Sequence, residues 1–165
     1  MPTLIRTLDN LAELLGRSIA WLTLLMMLVT CIVVVARYLL NMGSIAIQES
    51  VMYMHGMVFM LGMGYTLKHQ GHVRVDIIYQ RLSPRMRATI DIIGTLIFLF
   101  PVSIFIFFAS LDYVALSWSF GETSAQPGGL PGIYVIKALI PTMSLLLFLQ
   151  GCAELLRNVT VLRVG

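Results

Sequence analysis

The sequence predicts an all-α integral membrane protein: four transmembrane helices with N-terminal and central short amphipathic helices. Three observations predict it. Of 165 residues, 58% are hydrophobic and only 12% are charged, against roughly 25% in a typical soluble domain. Mean hydropathy is +0.89, too apolar for the soluble core of one short domain, so lipid must solvate much of the surface. The charged residues fall between four long uncharged runs instead of being spread along the chain.

Residues 1–17 read as an amphipathic helix. Leu4, Leu8, Leu11 and Leu15 recur on one side, and Arg6, Asp9, Asn10, Glu13 and Arg17 occupy the other. Such a helix either lies in the membrane interface or extends the first span. No cleavable signal peptide is expected here, since the following apolar run is too long for a signal core. The first span covers residues 18–40, with 19 uncharged residues between Arg17 and Arg37, enough at ~1.5 Å each to cross a ~30 Å hydrocarbon core. A short turn leads to the second span, residues 45–67, where 18 uncharged residues separate Glu49 from Lys68. Gly56, Gly62 and Gly64 offer places for close helix approach there.

Residues 68–83 form a polar loop. Val75, Ile78, Tyr79 and Leu82 share one helical face within it, which predicts the central short helix. Ser83-Pro84 then has the chemistry of a helix start, Ser as cap and Pro at the first helical position. The third span, residues 84–118, is longer than the bilayer is thick and must tilt or protrude. Pro101 near its middle predicts a kink. Residues 119–132, SFGETSAQPGGLPG, read as a loop of tight turns. The fourth span covers residues 133–156, and residues 157–165 form a tail.

Basic residues set the orientation. Nine lie in the N-terminal segment, the central loop and the tail, while only Arg37 and Lys137 lie toward the other side. The positive-inside rule therefore places both termini in the cytoplasm. The same distribution points to membrane lipids as partners and away from nucleic acid. Charges at the membrane edge need partners, so Arg37 is expected to pair with Glu49, Asp112 with Lys137, and Glu154 with Arg157 one helical turn on.

The sequence carries no phosphate-binding loop and no set of nucleophile, base and orienting group, so an enzyme is not expected. Cys31 and Cys152 sit in apolar runs and suggest small core residues, not a disulfide or zinc site. His55 is the only histidine inside a span, which gives poor support to a haem held by two histidines within one chain; a packed, hydrogen-bonded residue is expected there instead. No cofactor or metal is expected.

A family resemblance emerges at the second span. Gln48-Glu49, Tyr53-Met54-His55 and Gly62-Met63-Gly64-Tyr65-Thr66-Leu67 lead into Gly71-His72-Val73-Arg74-Val75-Asp76, followed by Leu82-Ser83-Pro84-Arg85-Met86-Arg87. With Gly128-Gly129-Leu130-Pro131 and Lys137, this resembles the small permease subunit of TRAP transporters, the DctQ type. The resemblance implies a subunit in the bacterial inner membrane that braces a large permease subunit (DctM-type) and helps a periplasmic substrate-binding protein (DctP-type) to dock, in sodium-driven uptake of an organic acid. Glu49, His72 and Asp76 match motif positions; Arg37, Asp112 and Lys137 join them as candidates for structural or partner contacts. Two other readings are a haem- or quinone-binding membrane anchor of an oxidoreductase and a small dimeric exporter.

Overall fold

The computed structural model describes residues 2–72, 79 and 81–164. The elements are α1 (Pro2–Leu39), α2 (Ile45–Lys68), α3 (Pro84–Gly94), a π-helical turn (Thr95–Leu99), α4 (Phe100–Ser119) and α5 (Ile133–Val164). Of the described residues 84% are helical, and none lies in a strand. Among the described residues, three helical stretches are long and apolar enough to cross a membrane: Thr3–Leu39, Pro84–Ser119 and Ile133–Arg163. The 24-residue α2 is diluted by Gln48, Glu49, His55 and glycines and is not among them.

The N-terminal amphipathic segment is not a separate element. Nothing between Glu13 and Ser18 breaks the helix, so it runs unbroken into the apolar stretch as a 38-residue rod, about 57 Å long. The helix also outlasts the expected fourth span, since α5 continues through residues 157–163. The expected central helix falls largely on residues 73–78, which lie outside the described residues. Tyr79 is described, and its hydroxyl donates to Asp91 Oδ2 of α3 at 2.6 Å.

Helix ends follow their local chemistry. Asn41 takes a left-handed φ of 51° after α1, and Met42 N–H donates back to Ala36 O at 2.9 Å. Gln70 and Gly71 repeat this after α2, with φ of 52° at Gln70 and Gly71 N–H donating to Thr66 O at 2.9 Å. Both closures satisfy carbonyls that a helix end leaves unpaired. Ser44 caps α2 by accepting from Ile47 N–H, and Ser83 caps α3 by accepting from Met86 N–H, with Pro84 in the first turn.

Pro101 is accommodated by a wide turn. Its ring would press on the carbonyl four residues back and supplies no N–H for it. The backbone widens just before it, and Phe100 N–H donates to Thr95 O, five residues back. One extra residue in that turn re-phases the helix. Ser103, Ser110 and Ser117 then fall at seven-residue spacing and are 2%, 7% and 3% exposed. Small side chains let α4 approach α5 closely. The first two hydroxyls donate to Leu99 O and Phe107 O, so neither is left unpaired.

The helices form an open array. α1 packs on α2, α2 on α5, and α5 on α3 and α4, with α5 also touching α1. Close approaches occur at glycines: the Tyr65 ring lies over Gly16, and at Gly151 a Cβ would stand 2.5 Å from Leu99 Cδ2. Gly62 faces Ile19 and Gly64 faces the Leu146 backbone, whereas Gly56 faces open space. The accessible surface is 10746 Å². A compact soluble monomer of 18.4 kDa would expose roughly 8,200 Å². The excess is the surface of an array whose broad faces no described helix covers.

Candidate functional site

Charged and polar groups gather at the two rims of this array. At the rim bearing residues 119–132, Glu49 lies in the second turn of α2, half-buried. Its Oε1 accepts from the Ser124 hydroxyl, and its Oε2 accepts from Leu130 N–H at 2.7 Å. The loop is shaped to meet it. Thr123 bridges Pro131, and Ser124 N–H donates to Leu130 O at 3.2 Å. Gly129 N–H donates to Gln126 O at 3.0 Å, closing a turn over Pro127 and Gly128. Gly128 has φ of 77°, the left-handed geometry that a turn with Pro at its second position needs from its third residue. Gly129 sits against the carboxylate: a Cβ there would stand 2.5 Å from Ser124 Cβ and 2.7 Å from Glu49 Oε2. One turn further along α2, the Tyr53 hydroxyl is buried with no hydrogen-bond partner among the described residues.

A second carboxylate anchors the other end of the loop. Glu122 Oε2 accepts from Lys137 Nζ and from the Ser117 hydroxyl, both at about 2.5 Å. The Lys137 ammonium and, after it, the Ser117 hydroxyl hold the Glu122 carboxyl below its ordinary value. Lys137 Nζ also stands 4.1 Å from the centre of the Tyr113 ring. Trp118 and Tyr134 meet edge to face at 4.7 Å beside it, aromatic side chains of the kind that favour a membrane–water boundary.

The opposite rim joins α1, α2 and α5. Arg157 donates to Asp9 Oδ2 at 2.8 Å and to Glu154 Oε1. Gln150 Nε2 donates to Asp9 Oδ1 at 3.1 Å. Glu13 accepts from Lys68 Nζ at 2.7 Å and from Arg17 Nε at 3.0 Å, with His69 Nε2 at 3.1 Å. Lys68 also donates to Asp9 O at 3.1 Å. These residues stitch the first helix to the second and the last.

Two expected pairs are corrected. Arg37 does not meet Glu49; its Nη2 donates to Gln48 Oε1 at 2.7 Å. Neighbouring residues on a helix point about 100° apart, so Gln48, exposed, is within reach of Arg37 while Glu49 faces the loop. Asp112 does not meet Lys137, which Glu122 and Tyr113 occupy. Tyr113 turns its ring to Lys137, and Asp112 is left exposed with no paired cation among the described residues. Glu154 and Arg157 do pair, within a larger network than expected. His72 lies half-buried in the bend after α2 with no hydrogen bond to another described residue, and Asp76 lies outside the described residues.

His55 is also corrected. It is exposed on α2 and makes no hydrogen bond to a described residue, so it is not the packed, bonded histidine expected. Glu122, Ser124, Gln48, Asp9, Glu13 and Gln150 were missed. Asp9 and Glu13, four residues apart on one helical face, were a usable signal. Ser124 was not, because only the folded loop carries it to Glu49.

A family model described as "Tripartite ATP-independent periplasmic transporters, DctQ component" matches residues 26–161. No curated protein matches the chain.

Proposed function

Because the chain belongs to the DctQ family, the DctQ component of tripartite ATP-independent periplasmic transporters, we propose that it braces a large DctM-type permease subunit in sodium-driven uptake of an organic acid that a DctP-type periplasmic protein delivers. One observation carries this reading: the helices are clamped at both rims by charged networks, while their broad faces are left bare. A brace needs fixed helix register and free surface for the part it supports. The reading includes α2 as a fourth span, since Glu49 and Lys68 are 19 residues apart, or about 29 Å, close to the ~30 Å hydrocarbon thickness. It also includes both termini on the cytoplasmic side, on the weight of basic residues. The Glu49-bound loop would then face the periplasm and the binding protein. The family match does not favour the haem-anchor or exporter readings.

Reconstitution tests it. Liposomes carrying the large permease and this chain should take up organic acid only when the binding protein and an inward sodium gradient are present. Uptake should fall to background when this chain is left out. Undiminished uptake without it, or solute flux through this chain alone, would remove the bracing role.

A further inference from the structure

We propose that the face of α2 bearing Gln48, Met52, His55 and Phe59 seats one transmembrane helix of the large permease, and that a hydrogen-bonding side chain of that helix pairs with His55. This rests on the reading of the chain as the small subunit and names the surface that makes the join.

These four residues recur at i, i+4, i+7 and i+11, so they share one side of α2. All four are exposed, Met52 at 57% and Phe59 at 59%. His55 lies six residues from Glu49 and 13 from Lys68, about 9 Å and 20 Å from the two rims. An imidazole is too short to reach water from that depth, and hydrocarbon offers its ring nitrogens no partner. Polar side chains within spans face protein or a water-filled cavity for that reason.

The surroundings select the occupant. The face opens on a cleft of about 750 Å³, closed on one flank by Met26 of α1 and at the loop rim by Glu49 and Gln126. Gly56, next to His55 on α2, has nothing within 4 Å of a would-be Cβ, so a neighbouring backbone can come close. Within hydrocarbon only a helix brings a satisfied backbone into such a cleft. A second copy of this chain, paired through the same face about a two-fold axis, would set the two Glu49 carboxylates at one depth beside each other. A different chain, apolar except for one hydrogen-bonding side chain at the depth of His55, carries no such repulsion.

The test uses the full chain co-expressed with its large permease. A photo-reactive amino acid is placed at Met52 or Phe59, and the complex is irradiated in membranes. Both positions should give one adduct with the mass of the large permease plus this chain. In parallel, H55L should lower the permease recovered with the chain by about threefold, the typical effect of losing one hydrogen bond between membrane helices, while H55Q, which can still bond, should restore most of it. Adducts between two copies of this chain, or no protein adduct from either position while the permease still co-purifies, would overturn the proposal. Equal recovery with H55L and wild type would overturn the role of His55. If the unaltered chain recovers no permease at all, the small-subunit reading falls, and this proposal falls with it.

Discussion

Glu49 gives a single-residue test of the loop rim. Its carboxylate accepts from Ser124 and from Leu130 N–H, and hydrogen bonds to a charged group contribute about 1.5–3 kcal/mol. Glu49→Gln keeps the volume and loses the charge. It should raise amide hydrogen exchange at Leu130 by about tenfold or more, with α2 itself little changed. Gly129→Ala should open the same loop by collision, since its Cβ would press on Ser124 and Glu49. Tyr53→Phe should do the reverse. It removes a buried hydroxyl that has no partner among the described residues, and a thermal melt in detergent should show equal or higher stability, by about 1 kcal/mol at most. Acid acts through Glu122. Its carboxyl is held below the ordinary value of 4.5 by Lys137 and then Ser117. A lowered folded-state pKa contributes stability that is full above the unfolded value and is lost as pH falls through the folded one. Exchange protection in residues 122–131 should therefore hold at neutral pH and fail only below about 4.5. In Lys137→Met, failure should begin at higher pH.

At the scale of elements, α1 and the α3–α4 helix carry the most informative tests. Arg157→Leu would leave Asp9 and the 8%-exposed Glu154 without their shared cation. Arg157 is itself 38% exposed, so solvent screens part of the loss and the cost is about 1–2 kcal/mol, which a detergent melt should register. Deleting residues 2–16 removes Asp9 and Glu13 together, and should release α1 from α5 and strip Lys68 of its carboxylate; spin labels on α1 and α5 would show the distance between them broaden. Ser110→Leu should push α4 off α5, with overpacking costing about 1–3 kcal/mol. Much of this level is legible in the sequence. Apolar run lengths and the Ser83-Pro84 start mark the helices, because burial in lipid and capping are local properties. The fusion of residues 1–17 with the first span is not legible, because an amphipathic pattern suits both a floating helix and a rod leaning on α5. The π turn before Pro101 is also hidden: a proline announces strain in a helix but not which backbone adjustment absorbs it.

For the whole molecule, the sequence indicates that lipid is the solvent and where charge collects, and it leaves the pairing of those charges open. Arg37 with Glu49 and Asp112 with Lys137 are reasonable by depth, yet depth is only one of two coordinates. Direction around the helix axis decides the partner, and a shift of one residue turns a side chain by about 100°. The choices of Gln48 over Glu49 and Glu122 over Asp112 follow from it. His55 fails for a different reason. Among the described residues it finds no hydrogen-bond partner, so a packed site for it is not visible from its place in a span. The area supports the same view. Exposure exceeds that of a compact monomer by about 2,500 Å², more than the roughly 1,600 Å² of a standard protein interface. Hydrogen exchange along α2 should therefore be slower in the complex with the large permease than in the chain alone, most of all around Met52 to Phe59.

The stitching of Asp9 to Arg157 joins residues 148 positions apart, and that of Glu49 to Ser124 joins residues 75 apart. Ribosomes add about 5–20 residues each second, so Glu49 is made roughly 4–15 s before the hydroxyl that will hold it. Asp9 waits longer still for the last helix. A nascent chain halted after residue 132 would display carboxylates with half their partners unborn, and quality-control proteases would meet a hairpin whose final form depends on its last few turns.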